Sequence, residues 1–154
     1  MRKLLTDQAD ISLRERAILV CATAANLNDS YCALAWGKTL ASEMSAVTAA
    51  AVLQCKEAPE LSARENALVN WARQVVHGPN SIRDDDVDQL RAAGLGDEDI
   101  FNVTVFIAFR LSFSTVNDAL GARPDHEIAS AAPSAVREAV TYGRSISEHA
   151  ANDA

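Results

Sequence analysis

In the stretch Asn28-Asp29-Ser30-Tyr31-Cys32-Ala33-Leu34-Ala35-Trp36, a turn opens a helix and puts a cysteine in the first helical turn. There the sulfur lies near the positive end of the helix macrodipole and the unpaired backbone N–H groups. Both favour the thiolate, the form that attacks peroxides and disulfides. Asp29 stands at the N-cap and works the other way. Its carboxylate takes up free N–H groups and sets a negative charge one turn from Cys32. The two effects are each worth about 1 kcal/mol, so the sequence leaves open whether Cys32 is an activated thiol or a small buried residue. Trp36 falls one turn further along and either covers a pocket or packs in the core. Tyr31 can donate a hydrogen bond to a substrate oxygen or serve in packing. Arg110 interrupts the apolar run Phe106-Ile107-Ala108-Phe109 before Leu111. A guanidinium there needs a carboxylate or carbonyl partner, and a structural ion pair is favoured over anion binding.

Helices must hold these residues. Ser12-Leu13-Arg14-Glu15 is a capping box that opens a helix to about Leu27, with Ile18, Cys21, Ala22 and Ala25 on one face and Leu19 and Val20 on another. Asp29 caps a second helix over about 30–43, on which Cys32, Ala35, Trp36 and Thr39 share a face. An alanine-rich third helix spans about Ser45 to Cys55, with Val47, Ala50, Ala51 and Gln54 as a narrow stripe. Ser62-Ala63-Arg64-Glu65 is a second capping box, followed by Leu68, Trp71, Ala72 and Val75 at helical spacing. His77-Gly78-Pro79 stops that helix, and His77 suits the negative end of its dipole. A short helix over Asp84 to Ala93 starts on Asp84-Asp85-Asp86, a solvated helix start without the spacing of a metal loop. Asp97 is expected to cap the longest helix, about 98–120, which is apolar nearly all round and belongs inside a bundle or a subunit interface. A last helix is expected over about 134–150, with Val136, Ala139, Val140 and Gly143 on one side and a frayed tail beyond. His126 and His149 read as surface residues. No segment has strand periodicity, so the fold class is all-α, as one domain over 1–154.

The totals narrow the partners. A formal net charge of −7 and a pI of about 4.9 repel phosphate backbones and anionic lipid, so neither nucleic acid nor membrane is expected. No apolar run reaches the length of a bilayer span. The three cysteines, Cys21, Cys32 and Cys55, form no C-x-x-C pair. That disfavours a disulfide framework or a zinc site and points to a reducing, cytoplasmic setting. No cofactor is implied.

The order of several segments resembles the alkylhydroperoxidase-D-like, carboxymuconolactone decarboxylase superfamily, in its peroxidase-related branch. They are Leu13-Arg14-Glu15-Arg16, Ala24-Ala25-Asn26-Leu27-Asn28, Tyr31-Cys32, Leu61-Ser62-Ala63-Arg64-Glu65, Leu90-Arg91-Ala92-Ala93-Gly94-Leu95, Asp97-Glu98-Asp99-Ile100, Asn117-Asp118-Ala119-Leu120-Gly121 and Arg123-Pro124-Asp125. The resemblance implies a multi-helix bundle, a homo-oligomer and thiol-dependent peroxidase chemistry that regenerates with an external thiol. Peroxidases of this kind use a Glu, a C-x-x-C pair and a His. Carried over by position, the second Cys is Cys32, the first falls on Asp29, the His on Trp36 and the Glu on Ala17, with Glu15 two positions off. The pattern thus keeps one cysteine and no partner for a disulfide within the motif.

Three functions remain open at this stage. Cys32 serves a one-cysteine antioxidant enzyme, with Asp29 as proton acceptor. Alternatively Asp29, Tyr31 and Arg110 serve a non-redox enzyme for a small organic acid or lactone. In the third case the fold is a non-catalytic oligomeric or ligand-binding protein.

Overall fold

The helix with the longest buried run lies at the centre. In the computed structural model, which describes residues 11–147, α1 (Leu13–Leu27) buries every residue from Ala17 to Ala25. Its alanines and Cys21 let neighbours approach on all sides. It packs on α2 (Ser30–Glu43), α3 (Ala46–Leu53), α4 (Ala63–His77) and α6 (Asp97–Ala119). Between α4 and α6 lie a 3₁₀ turn (Pro79–Ser81) and α5 (Asp84–Ala92), and α7 (His126–Ala131) and α8 (Ser134–Ala139) follow α6. The described residues contain no strand, so the all-α class holds. Their buried side chains form one connected core. The residues before 11 and after 147, including His149 and the expected frayed tail, lie outside the described residues.

The two capping boxes form and clasp each other. Ser12 Oγ accepts from the Glu15 amide and Ser62 Oγ from the Glu65 amide, each at 3.2 Å, and each Glu accepts from its own N-cap amide. Arg14 then donates to Glu65 at 2.5 and 3.1 Å, while Arg64 donates to Glu15 at 2.8 Å. The repeated S-x-R-E pattern therefore pins the N-termini of α1 and α4 side by side. Glu15 is turned to this clasp and away from Cys32.

Several expectations need correction. The last helix ends at Ala139, because Val140 leaves helical geometry at φ −90°, ψ 84°. The chain beyond is held by other helices: Tyr142 donates to the Leu53 carbonyl at 3.2 Å and Ser30 Oγ to the Arg144 carbonyl at 2.7 Å. The turn at Gly143 has φ 75° and presses on α2's entry, where a β-carbon would stand 2.4 Å from the Asn28 carbonyl oxygen. Helix α7 was not expected. It has 6 residues between Pro124 and Pro133, too few to show a period. Helix α3 stops at Leu53, with Cys55 at φ 55°. It buries Thr48, Ala49, Val52 and Leu53, while Val47 is exposed. On α2 the buried residues are Ser30, Cys32, Ala33, Leu34, Gly37 and Leu40. Gly37 lets α8 and α3 close in, since a β-carbon there would meet Val136 at 2.7 Å and Leu53 at 2.9 Å.

Helix α6 departs most. Gly96, not Asp97, is its N-cap, and Asp99 Oδ2 accepts from the Gly96 amide at 3.0 Å. It lies at one side of the bundle: Ile100, Val103, Ile107 and Ser114 are buried, whereas Phe101, Phe113, Val116 and Leu120 are exposed. By length and composition alone it is long and apolar enough to cross a membrane, contrary to the expectation from the sequence. It nonetheless packs against α1, α4 and α5, and Trp71 Nε1 donates to Thr104 Oγ1 at 2.9 Å to fix it to α4.

Candidate functional site

The turn between α1 and α2 creates the site. Asn28 closes α1 in the left-handed region at φ 58°, and the Asp29 amide returns to the Ala24 carbonyl at 2.9 Å. This ending reverses the chain within two residues. It leaves Asp29 as the N-cap of α2, its Oδ1 accepting the Cys32 amide at 3.0 Å. Asp29 is 1% exposed. Its second oxygen accepts from Ser114 Oγ at 2.6 Å, which ties the cap of α2 to α6.

Helix α6 supplies the rest. Arg110 Nη2 lies 3.3 Å from Cys32 Sγ, and Asn117 Nδ2 lies 3.7 Å from the same sulfur. The guanidinium is held between two rings, with its carbon 5.8 Å from the Trp36 centroid and 5.4 Å from that of Phe113. Aromatic faces attract a cation and fix its plane. The expected ion pair of Arg110 is absent: no carboxylate among the described residues lies within salt-bridge distance, and its Nε is buried with no partner. The helix places its cation on a sulfur instead of an acid.

The environment decides the charge on Cys32. The residue is 5% exposed. Burial, then the hydrogen bond and charge of Asp29, push its thiol up to about 12, against the opposing pull of Arg110. The competition at the helix N-terminus therefore ends in favour of the protonated thiol. Burial also raises the thiol of Cys21, with a smaller push from Cys32. Burial and the Asp29 charge raise Asp118, one turn past Ser114.

The structure brings Asp29, Cys32, Trp36 and Arg110 together. Tyr31 is a half-buried ring against the core. Among the described residues it shares no hydrogen bond or ring contact with them. Ala17 is fully buried in α1. Ser114 and Asn117 were missed in the sequence, yet a signal exists: Arg110, Ser114 and Asn117 stand at i, i+4 and i+7 and so share one face of α6. Cys55 is exposed and lines a separate groove of about 700 Å³ with Lys56, Glu57 and Arg73. Among the described residues no cluster of His, Cys, Asp and Glu is arranged to hold a metal.

No protein-family model matches the sequence, and no curated protein does. Solved structures do match. One is described as the alkylhydroperoxidase AhpD core of an uncharacterized peroxidase-related protein from Ralstonia eutropha JMP134. It is 25% identical with a TM-score of 0.74, over 82% of this chain and 68% of that one. Another, an uncharacterized peroxidase-related protein from Silicibacter sp. TM1040, has 19% identity and a TM-score of 0.74, over 82% of this chain and 67% of that one. The chain carries the AhpD-like fold, as its segment order led us to expect.

Proposed function

We propose that this chain is a one-cysteine thiol peroxidase whose attacking sulfur is Cys32. The observation that carries the reading is the guanidinium of Arg110 at 3.3 Å from Sγ with no acid to neutralise it. A cation at that distance is worth most when negative charge develops on sulfur or on the departing oxygen. The thiol is protonated in the resting protein, so attack requires a base. Asp29 is that base. It is buried, fixed by the Cys32 amide and Ser114, and already set against the thiol.

The step is balanced without a metal or organic cofactor. Sγ attacks the distal oxygen of a hydroperoxide, the S–O bond forms and the O–O bond breaks. The thiol proton passes through Asp29 to the departing oxygen, leaving an alcohol and a Cys32 sulfenic acid. A low-molecular-weight thiol then displaces water to give a mixed disulfide, and a second thiol restores Cys32. Arg110 and Asn117 stabilise the sulfur anion in attack, while Trp36 and Phe113 hold the guanidinium in place.

Hydroperoxide consumption by the full chain with dithiothreitol tests this. Cys32→Ser should abolish it, and Arg110→Met should lower it by about 10²-fold, the usual loss of one charge-stabilising group. Equal activity of wild type and Cys32→Ser, with several hydroperoxides, overturns the proposal.

The orphaned Nε of Arg110 favours a second reading, in which the same cation binds a small carboxylate and Cys32 is passive. Thermal shifts with mono- and dicarboxylates that vanish in Arg110→Met, with no peroxide consumption, distinguish it.

A further inference from the structure

A cavity of about 400 Å³ lies between the start of α2 and the chain that follows α8. That volume is at the small end of those that take organic ligands. Among the described residues its lining holds two charged side chains, Arg137 and Arg144, and no acid. The chain as a whole has 21 acidic residues against 14 basic ones. Neither guanidinium has a carboxylate within salt-bridge distance among the described residues. Each is anchored by one nitrogen to a carbonyl. Arg137 Nη1 donates to Ala132 at 2.6 Å and Arg144 Nη2 to Asp118 at 2.9 Å. The other nitrogens of each fork keep their N–H donors. The backbone adds more: no amide from Thr141 to Ile146 donates to a backbone acceptor among the described residues. The bend that carries these amides is fixed, since Ser30 Oγ donates to the Arg144 carbonyl at 2.7 Å and Tyr142 to the Leu53 carbonyl at 3.2 Å. Bent runs of bare N–H groups make concavities for anions. Leu34, Val140 and Ile146 give the same cavity an apolar wall.

We propose that this cavity binds a small organic phosphate, with its head on Arg137, Arg144 and the amides of the bend and its organic part against Leu34, Val140 and Ile146. The head group follows from the donors. A phosphate monoester carries close to two negative charges at neutral pH and three acceptor oxygens, so two forks and several amides can share it. A carboxylate has two oxygens, which a single guanidinium already fills. The groove beside Cys55 is wider and also carries two cations, Lys56 and Arg73, but Glu57 stands among them and opposes an anion. Asp29, Cys32 and Arg110 are not among the residues that line the phosphate cavity. The proposal therefore stands apart from the thiol reading above.

Calorimetric titration of the full chain with phenyl phosphate, at low salt and about pH 7.5 where the head is dianionic, should show saturable binding with a Kd below about 1 mM. Benzoate should bind at least about tenfold more weakly, because it lacks the third oxygen and the second charge. Arg137→Gln and Arg144→Gln should each weaken phenyl phosphate about tenfold, the loss of a hydrogen bond to a charged group. Arg144 also ties the bend to the end of α6, so Ser145→Asp serves as a second variant: it changes an exposed side chain of the lining, sets a like charge in the cavity and should weaken binding by a similar factor. Lys56→Gln removes one positive charge at the other groove and should leave the affinity unchanged. In ¹⁵N-resolved NMR the amides of residues 141–146 should shift during the titration, while those of residues 55–58 stay. The proposal is overturned if phenyl phosphate does not saturate, if benzoate binds as tightly, if the 141–146 amides stay in place, or if Lys56→Gln weakens binding as much as Arg137→Gln. None of these readouts uses peroxide consumption, so failure here is separable from failure of the peroxidase reading.

Discussion

Replacing Asp29 by asparagine should make Cys32 more reactive toward alkylation and, at the same time, a worse peroxidase. The asparagine side chain keeps an oxygen that can accept the Cys32 amide. Its NH₂ group can donate to Ser114 Oγ, which turns from donor to acceptor. The fold is thereby kept while the charge is removed. The thiol stands at about 12, against an ordinary 9.0, with burial the first cause and Asp29 the second and third. At pH 8 that leaves a thiolate fraction of about 10⁻⁴. Removing a like charge at this range lowers a pKa by about 2 units, which raises the thiolate about 100-fold. Sulfur nucleophilicity falls with pKa along a slope of about 0.4–0.5 and takes back about tenfold. The net expectation is iodoacetamide labelling of Cys32 about tenfold faster at pH 8. Peroxide consumption should fall, since the proton acceptor and donor is gone. Peptide-resolved labelling between about pH 7 and 10, below the raised thiol, is the assay. Labelling that is unchanged or slower in Asp29→Asn refutes the reasoning, because Asp29 would then not oppose the thiolate.

Two further outcomes follow from the geometry. Gly143→Ala should destabilise the chain by about 2 kcal/mol or more, because the residue sits at φ 75° and a β-carbon would strike the Asn28 carbonyl at 2.4 Å; chemical denaturation reads this. Glu65 is held below its ordinary 4.5: burial acts to raise it, but Arg14 and the Ser62 amide prevail. Its folded-state pKa is depressed, so the stability it lends is present above about pH 4.5 and is lost as pH falls through the lowered value. Melting temperatures should therefore drop more steeply below about pH 4.5 in wild type than in Glu65→Gln.

The sequence determined the elements because their signals are local. Both S-x-R-E boxes, the Asp29 cap and the apolar periods of α1 and α4 each act within a few residues, and each formed as expected. Short α7 carried no period, and the expected long terminal helix stopped at Val140 because Tyr142 and Arg144 bond to distant residues. Along α2, spacing alone put Cys32 in the first turn but did not show which side is buried, where Gly37 meets α3 and α8.

The site's electrostatics were decided by the tertiary structure. Sequence placed an acid and a helix dipole beside Cys32 with effects of equal size, and burial of the thiol broke the tie. It also put a guanidinium inside an apolar helix and favoured an acid as its partner. Only the seating of α6 beside the entry to α2 showed that the partner is sulfur. That seating brings together residues 78 positions apart, a distance at which local pattern carries no information and complementary faces decide.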